Sequence, residues 1–224
     1  MLLGNGRYIE RGIRQIDGYM FERWRIEPEY AIKVDPTLGM LGILLEPTTV
    51  VTKAWEHILA VGRRAFWEPE TVLVTGAGPI GLLGAMIGRQ LGLDVHVLAR
   101  TQSGPKPSLV SALGATYYSS SVAEIGFALE IIKECTGVGD VISEAVSVIA
   151  ASGVVCLTGV GHGGTMPKIP MADWASSAVL KNNIVLGSVN ANKRHWYKAA
   201  EALARADRAW LSPPHHAIRA SGGL

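Results

Sequence analysis

Thr71-Val72-Leu73-Val74-Thr75-Gly76-Ala77-Gly78-Pro79-Ile80-Gly81 is an apolar, β-branched run that breaks into glycines and then into a helix former. Val72, Leu73 and Val74 are consecutive, the pattern of a strand buried on both faces. Beyond the glycines, Ile80, Leu83, Ile87 and Leu91 recur at helical spacing, which predicts a helix over Pro79 to Leu91. Val95-His96-Val97-Leu98-Ala99 predicts a second strand, so strand, turn, helix and strand fall within one βαβ-sized unit. The alternation continues. A third strand is expected where Leu113 to Tyr117 leaves a helix end, followed by a helix over Val122 to Cys135 and a fourth strand at Asp140 to Glu144. Val154 to Thr158 and Ile184 to Val189 predict the fifth and sixth strands, and Trp196 to Trp210 a closing amphipathic helix. Short strands alternating with helices imply an α/β fold with a doubly wound parallel sheet.

Composition narrows the class. The 224 residues are 48% hydrophobic and 18% charged, with 21 Lys and Arg against 19 Asp and Glu, a net of +2. Disorder needs lower hydrophobicity and higher net charge. A nucleic-acid binder needs a basic face, which this balance does not provide. Cys135 and Cys156 are too few for a disulfide framework or a thiolate zinc site and read as small core hydrophobes. Met1-Leu2-Leu3 turns at once to Gly4-Asn5-Gly6-Arg7, which is no signal-peptide core. The longest apolar stretch is punctuated by glycine and meets Arg89 and Gln90, short of the ~20 residues of a membrane span. A cytoplasmic protein is expected, with no nucleic-acid and no membrane partner.

The glycine turn carries the chemistry. In this context Gly76 permits a tight turn, Gly78 lets the backbone approach a pyrophosphate, and Gly81 lets helix pack on sheet. With Pro79 and Ile80 these form the expected cofactor loop of a Rossmann sheet, the helix N-terminus offering free N–H groups to phosphate. NAD binders place an acid at the end of the second strand, on the ribose 2′-hydroxyl. Here that strand ends Ala99-Arg100-Thr101, and Asp94 stands at its start. Arg100, assisted by Thr101, Ser103 and Lys106, suits a 2′-phosphate, so charge favours NADP over NAD. No Walker lysine follows the loop, and no tyrosine has a lysine four residues on, as short-chain reductases require.

Gly4-Asn5-Gly6-Arg7-Tyr8-Ile9-Glu10-Arg11-Gly12-Ile13, Asp17-Gly18-Tyr19-Met20, Leu44-Leu45-Glu46-Pro47-Thr48, the glycine loop and Gly187-Ser188-Val189-Asn190 occur in one order. Together they resemble the glucose (aldose) 1-dehydrogenases of the zinc-dependent medium-chain dehydrogenase/reductase superfamily, over roughly residues 4 to 210. The resemblance implies hydride transfer from C1 of a sugar to the nicotinamide, with zinc stabilising the developing alkoxide. It implies that Glu10 and Asn190 bind sugar, that Glu46 is a catalytic residue, binds sugar and ligates zinc, and that Ser188, Val189 and Asn190 meet the cofactor. Taken alone, Glu10 beside Arg11 also fits a surface ion pair, and Glu46 before Pro47 also fits a helix first turn favoured by its dipole. It further implies a sugar substrate and a homo-oligomer as partners.

The expected division is residues 1–50 as a partial GroES-like β segment, 51–66 as a linking helix, 67–210 as the Rossmann domain and 211–224 as a loose tail. Tyr30 to Val34 is expected to be extended, and Thr48 to Val61 helical. Trp24, Trp55 and Trp67 are expected to pack at the join, His195 near the cofactor end or in the packing, and His162 in a loop after the fifth strand. A catalytic zinc takes about three protein ligands. Glu46 is the one candidate, since no Cys precedes Cys135 and no His precedes His57, which lies within the linking helix. The chain is therefore expected to be truncated at its N-terminus, altered around Pro213-Pro214-His215-His216, and impaired in turnover. The alternative is an inactive NAD(P)-binding fragment or a subunit completed by another chain. Apolar side chains in residues 20–60 are expected to be exposed, so the isolated protein should self-associate, which light scattering measures; a monodisperse monomer would count against truncation.

Overall fold

A computed structural model describes residues 9–12, 14–161 and 171–211. The expected tail with His215 and His216, the loop histidine His162, and the first eight residues lie outside the described residues.

Two short strands, β1 (Glu10–Arg11) and β2 (Gln15–Ile16), pair with each other. A long helix, α1 (Leu45–Gly62), leads into β3 (Thr71–Thr75), α2 (Pro79–Gln90) and β4 (Asp94–Leu98). Then come α3 (Pro105–Ala112), β5 (Thr116–Tyr118), β6 (Leu129–Glu134), α4 (Gly139–Val148) and β7 (Ile149–Leu157). The order closes with α5 (Met171–Lys181), β8 (Ile184–Gly187), α6 (Lys193–Arg205) and α7 (Arg208–Leu211). The large sheet has six strands in the order β5-β4-β3-β6-β7-β8, and every pair is parallel. This is the doubly wound sheet expected.

Alternation sends successive side chains to opposite faces. Val72, Val74, Val95, Val97, Ile131 and Val154 pack on one face with Trp55, Ile58, Leu83 and Leu203 of the helices. Leu73, Leu98, Ile132 and Val155 pack on the other with Val122, Ala145 and Ile149. Both layers are needed because parallel strands leave no face to water.

Two elements differ from expectation. Val122 to Cys135 is not one helix: Val122–Ile125 forms a 3-10 turn, and Leu129–Glu134 is β6, next to β3 in the sheet. Asp140 to Glu144 is not a strand but lies in α4. The charges of Glu130, Lys133 and Glu134 mimic a solvated helical face, yet Lys133 and Glu134 have no exposed surface. The strand count survives because one error replaced the other.

The leading segment differs too. Tyr30, where the expected extended piece Tyr30 to Val34 begins, closes a 3-10 turn over Pro28–Tyr30, and residues 31–35 form no regular element. Among described residues before α1, the only strands are β1 and β2. Trp55 is buried and donates from Nε1 to the Gly84 carbonyl at 3.1 Å, whereas Trp24 is 55% exposed and packs on Tyr19. Met20, Phe21, Met40 and Ile43 are also exposed. No helix among the described residues is long and apolar enough to cross a membrane.

Leu73 has no exposed surface and Phe66 is 96% exposed. Leu73→Ala is expected to lower the unfolding free energy by about 2–5 kcal/mol, and Phe66→Ala to change it by about 0.5 kcal/mol or less. Urea denaturation of both variants checks the assignment of the core.

Candidate dinucleotide site

The chain leaves β3 toward β4 on one side, then returns from β5 to β6 on the other, so the carboxyl ends of β3 and β6 flank a topological switch point. Ligands of open parallel sheets bind in that crevice. The glycine loop lies there. Gly76 has φ +94° and donates its N–H to the Leu98 carbonyl at 2.7 Å, a conformation that disfavours any side chain. A Cβ on Gly81 would penetrate the Gly76 carbonyl oxygen, so Gly81 is required by the loop itself rather than by the sheet. Gly88 makes the close helix-to-sheet approach, its missing Cβ 3.1 Å from Val95.

Gly78 is the N-cap of α2 and has no side-chain cap; Pro79 takes the first helical turn. The first-turn N–H groups are therefore open to an anion. A Cβ on Gly78 would meet no protein atom within 4 Å, which leaves a backbone surface that a phosphate can approach. Ile80 is half-buried against the core.

The opposite wall was missed in the sequence. Glu134 has no exposed surface, and its carboxylate accepts from Thr75 Oγ1 at 3.2 Å, Thr136 N at 2.6 Å, Gly137 N at 3.1 Å and the Thr136 hydroxyl. Its carbonyl accepts from Thr158 N and Gly159 N. One residue thus ties the ends of β3, β6 and β7 together. The β-branched pair Ile131-Ile132 before Glu-Cys-Thr-Gly was the available signal for a strand ending in a turn.

Beyond β4, Arg100 and Thr101 are exposed, and Lys106 is half-buried in the first turn of α3. The Thr101 carbonyl accepts from the Tyr117 hydroxyl at 2.5 Å, which anchors this segment to β5. Asp94 stands at the other end of β4, paired with His96.

Past β8, Ser188 donates its N–H to the Leu157 carbonyl, and its hydroxyl is buried with no partner among the described residues. Val189 offers its carbonyl to Lys53 Nζ at 2.7 Å, and Asn190 is held at φ +60°, a conformation asparagine tolerates. Lys53 belongs to α1, whose first turn carries the exposed Glu46, so Glu46 and Asn190 lie on elements that are bonded together. Glu10 sits on β1, half-buried, bonded through its backbone to Arg14.

An ionic clamp fixes α1 to α6. Glu56 accepts from Arg194 Nη2 at 2.5 Å and Lys198 Nζ at 2.6 Å. The Arg194 hydrogen bond, then that of Lys198, holds its carboxyl down at about 2. His195 is buried, its Nδ1 accepts from Asn192 N at 3.1 Å, and burial pulls its pKa below the ordinary value.

Among the described residues no group of three or more His, Cys, Asp or Glu could hold a metal ion. Glu46 supplies one carboxylate, too few for zinc. A cavity of about 370 Å³ lined by Ile142, Val146, Trp174 and Val185 lies on the α4–α5 side, away from the glycine loop.

The fold and loop together define a Rossmann-type domain. The chain belongs to the glucose dehydrogenase family: residues 39–214 match its model "Glucose dehydrogenase C-terminus". It is 38% identical over 204 residues to glucose 1-dehydrogenase 2 of Vulcanisaeta moutnovskia, covering 90% of this chain and 58% of that protein. It is 33% identical over 210 residues to glucose 1-dehydrogenase of Methanocella arvoryzae, covering 91% and 58%. The glucose dehydrogenase of Haloferax mediterranei, solved in complex with NADP, Zn and gluconolactone, superposes with a TM-score of 0.87 at 28% identity, over 94% of this chain and 62% of that one. The chain therefore spans less than two thirds of these relatives.

Two outcomes are expected. Gly78→Ala keeps the melting temperature, because its Cβ meets nothing, yet weakens dinucleotide binding; Gly81→Ala loses both, and calorimetry beside a fluorescence titration separates them. Because the folded-state value of Glu56 is depressed, its contribution to stability is full above the ordinary value of 4.5 and is lost as pH falls through about 2. Glu56→Gln should flatten the stability difference between these pH limits, measured by urea unfolding across the range.

Proposed function

We propose that this chain forms the NADP-binding part of a glucose or aldose 1-dehydrogenase, which moves hydride from sugar C1 to the nicotinamide. One observation carries the reading: an uncapped helix N-terminus behind Gly76-Ala77-Gly78, at the switch point of a parallel sheet, with Arg100 rather than an acid beyond β4. Ile80 and Gly81 offer first-turn backbone N–H groups to the pyrophosphate along the helix dipole, while Gly76, Gly78 and Pro79 shape the turn that lets it approach. Arg100, Thr101 and Lys106 face the 2′-phosphate, where a guanidinium gives paired, charge-assisted hydrogen bonds. Ser188, Val189 and Asn190 meet the nicotinamide end, and the Ser188 hydroxyl, which has no partner among the described residues, supports this. Glu10, Asn190 and Glu46 accept from sugar hydroxyls. The cofactor, when bound, supplies the hydride acceptor; the chain orients it and excludes water.

A second reading is a cofactor-binding fragment or subunit whose metal site another chain completes. It is favoured by the absence, among described residues, of a cluster that could hold zinc. Glu46 is the residue of this chain that would join such a site. Assembly as a homo-oligomer in the cytoplasm belongs to the same proposal.

Titration of tryptophan fluorescence is expected to show NADP binding more tightly than NAD. Arg100→Ala should weaken NADP about tenfold or more and leave NAD nearly unchanged, the size of a lost charge-assisted bond. Tighter NAD binding would overturn the cofactor assignment. Turnover of glucose with NADP and added zinc, abolished by a chelator, would favour a complete enzyme over a fragment.

A further inference from the structure

Lys133 has no exposed surface. Its stem runs beneath α2, where a Cβ on Gly84 would stand 3.0 Å from Cδ and 3.6 Å from Nζ. Its amine donates to Cys135 Sγ at 3.2 Å and to Thr158 Oγ1 at 3.2 Å, and Thr158 Oγ1 stands 3.3 Å from the same sulfur. The hydrogen bonds described for this buried amine go to a thiol and a hydroxyl, not to a carboxylate. Glu134, the adjacent acid, is turned to Thr75, Thr136 and Gly137 instead.

The two cysteines differ. Cys135 is half-buried and lies just past the end of β6. Cys156 is in register with Lys133 on β7 but fully buried, and burial pushes its thiol up to about 11. Oxidants react with accessible thiols first.

We propose that Lys133 and Cys135 are a peroxide-responsive modification site, closing a nitrogen–sulfur cross-link beside the glycine loop. Hydrogen peroxide oxidises the Cys135 thiol to a sulfenic acid: an S–O bond forms, the O–O bond breaks, and one water leaves. The Lys133 nitrogen lone pair then attacks that sulfur. An N–S bond forms, the S–O bond breaks, and the departing hydroxide takes a proton from nitrogen and leaves as a second water. An amine that begins protonated first gives its extra proton to solvent. Sulfur loses two electrons, peroxide gains them, and the protein loses two hydrogens. Sulfenic acids condense with a neighbouring nitrogen in this manner. The 3.2 Å approach supplies the proximity that such a reaction needs.

The link bears on the cofactor loop. Cys135 N donates to the Thr75 carbonyl at 3.1 Å, and the Cys135 carbonyl lies 3.6 Å from the missing Cβ of Gly76. Drawing the sulfur toward Lys133 shifts the backbone on which that turn rests. This last consequence rests on the proposed NADP site; the cross-link does not.

The test treats the purified chain with hydrogen peroxide and follows intact mass and tryptic peptides. The expected product is two hydrogens lighter, with Lys133 and Cys135 in one peptide that trypsin no longer cleaves after Lys133. Dithiothreitol should restore the starting mass. Cys156→Ser should keep the product; Cys135→Ser and Lys133→Met should each lose it. Added oxygen on Cys135 with Lys133 still cleaved, a disulfide joining the Cys135 and Cys156 peptides, or no change in mass would each overturn the proposal. A several-fold, dithiothreitol-reversible loss of NADP affinity is expected alongside. The mass readout needs no cofactor, so untreated protein that fails to bind NADP counts against the proposed function alone.

Discussion

The Glu134 carboxylate sits inside the sheet without surface exposure, and four hydrogen bonds from Thr75, Thr136 and Gly137 satisfy it. A buried charge is tolerated only when its acceptor sites are filled. Filling them forces the end of β3 against the turn after β6, while the Glu134 carbonyl draws in Thr158 and Gly159 from beyond β7. Three strand ends are thereby held in one arrangement. The glycine loop, Cys135 and the turn after β7 all take their positions from it. A residue of the size of alanine at Gly81 would be excluded because the Gly76 carbonyl already occupies the space.

The other side of the site depends on a second set of contacts. Glu56 joins α1 to Arg194 and Lys198 of α6, Thr52 donates to the His195 carbonyl at 3.2 Å, and Lys53 reaches Val189. These bonds span more than 130 residues of sequence, and they bring the helix that begins at Glu46 to the segment that carries Asn190. The Asn192 cap, whose N–H bonds His195 Nδ1, sets where α6 starts. The loop between β8 and α6 is therefore held at both ends.

Most of the sheet was legible. β3, β4 and the second half of β7 are β-branched runs buried on both faces, and β8, a partly buried strand at the sheet edge, is also a short apolar run. β6 was not, because Lys133 and Glu134 stand in it, and charged residues at that spacing resemble the wet side of a helix. The start of α4 reads as a strand because Val141-Ile142 is a short β-branched apolar pair. Short apolar runs fit either period, and only neighbours decide between them. Among candidate site residues, the glycine loop could be placed because the turn at Gly76 and the open backbone at Gly78 are visible in sequence, whereas the reason for Gly81, the Gly76 carbonyl, shows only in the folded loop. Glu134 could not, since its role comes from donors on other strands.

The sequence by itself determined the repeating strand and helix units, the glycine turn that starts a helix without a side-chain cap, and the arginine that follows the second strand. These are local properties, set by residue type and spacing. Tertiary structure decided which strand stands beside β3, that a lysine and a glutamate are buried there, and that Lys133 meets Cys135. Those outcomes follow from long-range pairing in the sheet, where register selects the neighbours of each side chain and burial obliges every polar atom to find a partner.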